Sequence, residues 1–232
     1  MNNEIVEQTV AFLNVGGPVV WVHLLMSILL VTLLLMKLWQ FSAGGLFSPF
    51  ARARADRAVG LWESGDADAA IDEIARARDA QSRILVLSAR HLKDGSLRGQ
   101  ALIDEIGREA SKILGQLRSQ LRSIELIASL APLLGLLGTV LGMIEAFQAM
   151  EAAGRQVDPG TLSGGIWKAL LTTAVGLIVA VPAIVTHNWL ERRIDRFNAG
   201  LNDRFGRMLT AARLAPADGH DAQPLELHRA RA

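Results

Sequence analysis

Two long apolar stretches of this chain contain the side chains that could do chemistry. The stretches cover residues 124–150 and 166–190 and consist mainly of aliphatic and small residues. The candidate residues are Thr139 and Glu145 in the first stretch and Lys168, Thr172 and Thr173 in the second. A threonine hydroxyl in such a stretch can bond to a carbonyl of its own helix, or it can line a polar path across a membrane. The sequence alone leaves both roles open.

Glu145 and Lys168 are predicted to form an ion pair. Glu145 lies six residues after Thr139, and Lys168 lies five residues before Thr173. These separations correspond to about 9 Å and about 7.5 Å along a helix, so the two charges share a depth if the two threonines do. Pairing costs less free energy than leaving either charge alone in an apolar environment. In the alternative, each side chain reaches separately to the membrane surface.

Small residues and two prolines are placed along the same stretches. The glycines are Gly135, Gly138, Gly142 and Gly176. Small residues allow the backbones of neighbouring membrane helices to approach closely. Pro132 and Pro182 each free a backbone carbonyl, which a neighbouring helix or hydroxyl must then satisfy. All six residues are therefore predicted to serve helix packing, with each proline fixing a kink.

Both stretches, and a third at residues 19–40, are long enough to cross a membrane as helices. A helix needs about 20 residues to cross a hydrocarbon core of about 30 Å. Half of the 232 residues are hydrophobic and only 20% are charged, and the two classes are segregated along the chain. This pattern predicts an all-α integral membrane protein with three transmembrane helices and long helices that extend into a cytoplasmic helical domain.

Basic residues predict the orientation of the chain. Residues 51–123 contain 13 Lys and Arg and residues 191–232 contain 8, whereas residues 1–18 contain none and residues 151–165 contain one. By the positive-inside rule the two basic segments are cytoplasmic. The predicted segments are a periplasmic N-terminal segment at 1–18, transmembrane helices at 19–40, 124–150 and 166–190, a cytoplasmic helical domain at 41–123, a periplasmic loop at 151–165, a cytoplasmic helix at 191–214 and a disordered tail at 215–232.

The segment between the first two spans is predicted to be helical because Ala, Arg, Asp and Leu dominate it. Breaks at Ser64-Gly65 and Asp94-Gly95 predict helices at 50–64, 66–93 and 97–123. In the last of these, apolar residues recur at steps of three and four. The stripe continues into the second span without a break signal, which predicts a single helix of about 50 residues, or about 75 Å.

Several kinds of chemistry lack the residues that they need. The chain has no cysteine, and its five histidines show no metal-ligand spacing. No phosphate-binding glycine loop or nucleophile motif is present, so no catalytic residue, metal, cofactor or nucleic-acid partner is predicted, and the chain is not expected to be an enzyme. His23 lies near one end of the first span, where a place at the membrane interface is favoured over a proton-relay role.

The two apolar stretches at 124–150 and 166–190 resemble a known membrane family. The strings GLLGTVLGMIEAF and ALLTTAVGLIVAVPA are similar to the signature of the ExbB/TolQ/MotA inner-membrane proton-channel family, and three spans favour its ExbB/TolQ branch. The resemblance implies that Thr139 and Thr173, with the adjacent Thr172, line the channel. It also implies a ring-forming homo-oligomer, a pentamer in the family, around an ExbD/TolR-like single-span protein that supplies an aspartate.

The resemblance further implies a function in the bacterial inner membrane. Such a subunit couples the proton motive force to a periplasm-spanning TonB/TolA-like protein, for energised transport across the outer membrane. One residue departs from the family: ExbB and TolQ have a glutamate five residues before the threonine that matches Thr173, where this chain has Lys168. The alternatives are therefore a non-conducting ring-forming scaffold, or a stator for another load such as the Tol envelope system or gliding.

Overall fold

The computed structural model describes Glu7 and residues 16–46, 48–77, 79–153 and 159–214. Over these residues the regular structure is entirely α-helical. The helices are α1 (Gly17–Ala43), α2 (Pro49–Glu63), α3 (Ala67–Ala75), α4 (Ala80–Asp94), α5 (Gly99–Arg118), α6 (Leu121–Ala153) and α7 (Pro159–Leu214). Segments containing α1, α6 and α7 are long and apolar enough to cross a membrane. The prediction of an all-α protein with three transmembrane helices is therefore confirmed. The predicted tail at 215–232 lies outside the described residues, as do most of the predicted segments at 1–18 and parts of the loop at 151–165.

The described residues form two compact units. The first, called the span unit here, contains the residues before 48 and residues 111–198. The second, called the helical unit, contains residues 48–110 and 199–214. The predicted spans at 19–40, 124–150 and 166–190 all fall in the span unit.

Capping side chains set where helices begin in the helical unit. Ser48, Asp66 and Asp79 precede α2, α3 and α4, and each accepts a hydrogen bond from the backbone N–H three residues later. Such a bond satisfies one of the N–H groups that a helix start leaves unpaired. The single helix predicted at 66–93 is therefore wrong: Asp79 starts a new helix, and the region consists of α3 and α4.

Gly65 and Gly95 end helices at the positions that the sequence predicted. Their φ angles are +91° and +63°, a region that side chains with a Cβ rarely adopt. The helices α2, α3 and α4 pack against one another around a small apolar core. Trp62 of α2 is nearly buried, and its indole Nε1–H donates to the carbonyl oxygen of Met208 at 3.0 Å. The last part of α7 thereby closes the core of this unit.

The single long helix predicted from residue 97 into the second span is also wrong, because Gln120 interrupts it at a φ of +60°. Donors from α1 satisfy the carbonyls at the end of α5. Lys37 Nζ donates to the carbonyl oxygen of Leu117 at 3.0 Å, and Gln40 Nε2 donates to that of Gln116 at 3.3 Å. Carbonyls at a helix end lack partners within the helix. A tertiary contact, and not a local glycine or proline, therefore accompanies the break.

Candidate functional site

Small buried residues on α6 form a continuous line that faces α7, called the glycine seam here. Its members are Ala131, Gly135, Gly138, Gly142 and Ala146. A Cβ atom added at Gly138 would lie 2.4 Å from the hydroxyl oxygen of Thr172, and one added at Gly142 would lie 3.0 Å from the Cβ of Ala169. Both distances are shorter than ordinary van der Waals contact. The seam therefore lets the two backbones approach as closely as membrane helices with small residues do.

Thr172 and Thr173 place their hydroxyls against this seam. Thr173 Oγ1 donates to the carbonyl oxygen of Gly135 on the other helix at 3.0 Å. Thr172 is 1% exposed, and its Oγ1 lies 2.7 Å from the carbonyl oxygen of Ala169 and 3.3 Å from that of Gly135. Because a hydroxyl has one hydrogen, the shorter contact within α7 is its main bond. The structure thus brings two of the candidate threonines together at one carbonyl of α6.

Thr139 has a different environment. Its hydroxyl donates to the carbonyl oxygen of Leu136 in its own helix at 2.6 Å, and its side chain is half-buried. This is the local type of bond that the sequence left open as an alternative. Among the hydrogen bonds of the described residues, none joins Thr139 to Thr172 or Thr173. Its hydroxyl oxygen retains acceptor capacity, since donating uses only its hydrogen.

Gly176 lies on α7 where that helix crosses Ala131. A Cβ there would lie 2.7 Å from the carbonyl oxygen of Ala131 and 3.2 Å from the Cα of Gly135. Pro132 and Pro182 both lie inside helices that continue through them. Pro132 is half-buried, whereas Pro182 is exposed within the chain. A proline has no N–H, so each removes one hydrogen bond from its helix.

Lys168 and Glu145 are in contact at the end of the seam nearest to the loop between α6 and α7. Lys168 Nζ donates to Glu145 Oε2. The lysine side chain is 28% exposed and the glutamate side chain is 57% exposed. A Cβ at Gly17, the first residue of α1, would lie 3.3 Å from Lys168 Cε. The lysine therefore lies where α1, α6 and α7 come together.

His23 is buried in the interior of the span unit and not at its surface, contrary to the interfacial position favoured from the sequence. Its side chain is 0% exposed. Nδ1 lies 2.8 Å from the carbonyl oxygen of Val19, and Nε2 lies 2.9 Å from the carbonyl oxygen of Ala131. The ring thus connects α1 to α6. It reaches this depth because a glycine at position 176 leaves space beside it: a Cβ there would lie 3.0 Å from Nε2.

A polar cleft of about 360 Å³ lies between α6 and α7 at the opposite end of the spans. Its lining includes Glu125, Ser129, His187, Asn188 and Glu191. Across the part of the chain that the structure describes, no group of three or more His, Asp and Glu side chains is arranged to hold a metal ion. The two ends of the seam therefore carry charged or polar side chains, while hydroxyls occupy its middle.

Two buried ionisable residues were not identified as site residues from the sequence. His23 and Lys37 are both 0% exposed on α1. The available signal was their position within a long apolar segment, because an ionisable group in a membrane span is a functional candidate by default. The closeness of His23 to one end of the segment favoured the interface instead. Only the packing of α1 against α5 and α6 reveals that the side chains of Lys37 and His23 point inward.

Comparison with known proteins places these contacts in a family context. Residues 71–202 match the sequence model of the MotA/TolQ/ExbB proton channel family. Biopolymer transport protein exbB1 of Vibrio cholerae is 41% identical over 118 residues, which covers 51% of this chain and 50% of the relative. The ExbB-like 1 biopolymer transport protein of Synechocystis sp. is 31% identical over 200 residues, covering 79% of this chain and 72% of the relative.

The Tol-Pal system protein TolQ of Haemophilus influenzae is 41% identical over 69 residues, which covers 30% of each chain. The matches to the Vibrio and Haemophilus relatives thus span half or less of the length of those proteins. The glycine seam, the three candidate threonines and the Lys168–Glu145 contact all fall within residues 71–202, whereas His23 lies before them.

Proposed function

This chain belongs to the MotA/TolQ/ExbB proton channel family, and we propose that it is the ExbB/TolQ-like proton-channel subunit of a motor in the bacterial inner membrane. The motor couples the proton motive force to a periplasm-spanning protein of the TonB or TolA kind and energises transport across the outer membrane. Two relatives are named for biopolymer transport and for the Tol-Pal system, and these names support the assignment.

The observation that carries the proposal is the pair of threonine hydroxyls at the glycine seam. Thr173 donates to the carbonyl oxygen of Gly135, and Thr172 lies beside it within the region that matches the family. The hydroxyl oxygen of Thr173, whose side chain is only half-buried, can still accept a hydrogen bond from water or from a partner side chain. A line of such groups offers a proton stepping points inside an otherwise apolar bundle. Thr139 belongs to the same path through the free acceptor sites of its hydroxyl.

A partner supplies the carboxylate of this path. Threonine hydroxyls do not change charge in the physiological pH range, and the position of the family glutamate holds Lys168 in this chain. The partner is therefore an ExbD/TolR-like single-span protein with an aspartate in its span. A proton that moves inward gains about 2.3 kcal/mol per 100 mV, so the motor must couple several protons to perform substantial mechanical work.

A ring of identical subunits surrounds the partner span. Apolar side chains on α6 that point away from the seam are strongly exposed within one chain, for example Leu133 at 60% and Leu136 at 58%. Exposing apolar side chains of this kind to water would be unfavourable, so lipid and neighbouring subunits must cover them. The family pentamer provides such a cover. The basic segments at 51–123 and 191–232 face the cytoplasm, and the N-terminus and the 151–165 loop face the periplasm.

A non-conducting scaffold is the second candidate, and one observation favours it. The lysine that replaces the family glutamate is bonded to Glu145, so the position carries a neutralised charge pair. In a scaffold, the seam would serve assembly alone. A stator for another load, such as the Tol envelope system or gliding, would keep the proton path and change only the periplasmic partner.

Proton flux distinguishes the channel from the scaffold. The full-length chain is co-expressed with each small protein of the same genome that has one span carrying an aspartate, and the complexes are placed in liposomes containing a pH-sensitive dye. Under an imposed membrane potential we expect flux with at least one such partner, and loss of flux when the partner's aspartate is replaced by asparagine. Stable complexes that never conduct would establish the scaffold.

A further inference from the structure

We propose that His23 is a proton-binding residue of this chain, placed where the three spans meet, and that it takes part in the proton path. The inference rests on the proton-channel role proposed above. Hydroxyls cannot store a proton under physiological conditions, so the path within this chain otherwise lacks a titratable side chain near its middle. His23 supplies one, and it lies outside residues 71–202 that match the family.

The geometry of the ring carries the proposal. Nδ1 lies 2.8 Å from the carbonyl oxygen of Val19, and Nε2 lies 2.9 Å from the carbonyl oxygen of Ala131. A carbonyl oxygen only accepts hydrogen bonds, so each contact is a hydrogen bond only when that ring nitrogen carries a hydrogen. Neutral imidazole has one N–H and can make one of the two bonds. Imidazolium has two and makes both.

Proton uptake therefore changes the link between α1 and α6 or the link within α1. A proton added to the unprotonated nitrogen forms one N–H bond and breaks no covalent bond, and the ring gains one positive charge. Release of either proton returns a neutral ring and leaves one nitrogen lone pair facing a carbonyl oxygen at under 3 Å. Two lone pairs at that distance repel each other, so the neutral ring favours a displaced position. Proton occupancy and helix contact are in this way coupled.

The position of the ring joins it to the threonines. Its Ala131 contact lies four residues, or about 6 Å, along α6 from Gly135, whose carbonyl oxygen accepts the bond from Thr173. Gly176 of α7 also lies against the His23 ring, since a Cβ at this position would lie 3.0 Å from Nε2. Gly176 itself is ten residues after the predicted start of the third span at residue 166, about 15 Å into that span. The ring thus lies in the interior of the bundle, about one helical turn along α6 from the carbonyl oxygen that Thr173 bonds.

No ion pair joins His23 to another charged side chain among the described residues. Besides His23, the charged and titratable side chains within the three predicted spans are Lys37 of α1, Glu125 and Glu145 of α6, and Lys168 and His187 of α7. Glu125 lies six residues from Ala131 and Lys168 lies eight from Gly176, about 9 Å and 12 Å along their helices. Backbone carbonyls, and not a neighbouring carboxylate, therefore stabilise the charge of the protonated ring. Such a charge is held less firmly than one in a salt bridge, which suits a residue that must release its proton.

The test begins with the protonation state itself. Full-length protein labelled with ¹⁵N at its histidine rings is reconstituted in lipid nanodiscs, and the spectrum of His23→Gln identifies the His23 signals. As the pH of the nanodisc sample is raised, we expect the His23 signals to change from a ring with two N–H groups to a ring with one. A ring that keeps the same single N–H at every pH would overturn the proposal.

The second step tests the path. Glutamine at position 23 can donate to the Ala131 carbonyl but cannot take up a proton, so it separates the structural link from proton binding. His91→Gln is the matched control, because His91 is outside the spans and bonds to Ser96. If His23→Gln changes the mass of the assembly in detergent, His23→Asn is used as the test variant in its place. We expect flux to fall at least about tenfold, since a positioned proton-transfer group typically contributes on the order of 10²-fold or more. We also expect the pH dependence of the flux to flatten.

The outcomes separate this inference from the function on which it rests. Wild-type flux with an unchanged pH profile in His23→Gln removes His23 from the path and leaves the channel intact. Absence of flux in the wild type removes the channel, and the nitrogen titration still decides whether His23 binds a proton. A titrating ring together with a flattened profile in the variant, and a normal profile in His91→Gln, supports both.

Discussion

Exchanging the two charges of the Lys168–Glu145 contact probes the end of the seam. Lys168→Glu places two carboxylates side by side, and Glu145→Lys places two ammonium groups there. The double exchange restores one charge of each sign at the same site. Because Lys168 also lies close to Gly17 at the start of α1, we expect the damage of a single exchange to affect the packing of three helices.

The expected magnitude follows from the exposure of the two side chains. Exposed pairs contribute about 0.2–1 kcal/mol, whereas removing one partner of a buried pair costs about 3–5 kcal/mol. Lys168 is mostly covered at 28% exposure, and Glu145 is more than half exposed at 57%. The pair lies between these limits. We therefore expect a coupling free energy of about 1–2 kcal/mol from a double-alanine cycle, equivalent to about 5- to 30-fold in an equilibrium constant.

The assay is denaturation of the purified protein in mild detergent, followed by its helical signal and by the mass of the assembly. The matched control is the pair Arg118 and Asp195 in the same unit, whose side chains are 56% and 57% exposed. Its alanine cycle should give under about 1 kcal/mol. We expect Lys168→Ala to lower assembly yield, Lys168→Glu to lower it further, and the double exchange to recover much of the loss. A double exchange no better than Lys168→Glu alone would refute the pairing.

Three further predictions address other parts of the chain. Gly138→Leu should reduce the mass of the assembly in detergent or make it heterogeneous, since a Cβ at this position would meet Thr172. Gly164→Leu is the control and should have no such effect, because a Cβ at that exposed site has no neighbouring atom within 4 Å. Equal effects of the two substitutions would contradict the role of the glycine seam in packing. Arg207 donates to Glu63 and holds the pKa of this carboxyl below its ordinary value of 4.5. The Arg207–Glu63 pair therefore stabilises the folded protein above pH 4.5, and this stabilisation is lost as the pH falls through the lowered pKa of Glu63. In melting curves of the full chain, Glu63→Gln should weaken this acid dependence. Cysteine at Glu151 should react with an impermeant maleimide added to intact cells and cysteine at Ser64 should not, and labelling of Ser64→Cys would reverse the orientation.

Periodicity and residue size were sufficient to predict much of the architecture. Three long apolar stretches predicted three spans, and Gly65 and Gly95 marked helix ends because each adopts a positive φ. Breaks without glycine or proline were missed. Asp79 starts a helix through a side-chain bond, and the interruption at Gln120 accompanies donors that come from α1. The second of these depends on a contact between residues 80 positions apart, which no local pattern encodes.

The candidate site shows the same division. The glycines of the second span predicted close helix packing, because small residues let backbones approach. The structure places Gly135, Gly138 and Gly142 against α7. The partner of each hydroxyl could not be predicted, since Thr139 bonds within its own helix while Thr173 bonds across to Gly135. The depth of His23 was missed for a similar reason. It depends on the absence of a side chain at Gly176, a residue 153 positions away in the sequence.

Proton flux through the Thr173→Val variant tests the central claim most directly. Valine keeps the shape of threonine and removes the hydroxyl that bonds to the Gly135 carbonyl. Thr32→Val is the matched control, since the Thr32 hydroxyl lies on the exposed side of α1 and bonds to the Ile28 carbonyl in its own helix. With the partner that supports wild-type flux, we predict that Thr173→Val assembles normally but loses most of the flux, that Thr173→Ser regains part of it, and that Thr32→Val conducts like the wild type. Full flux in Thr173→Val would contradict the claim that this hydroxyl is part of the proton path.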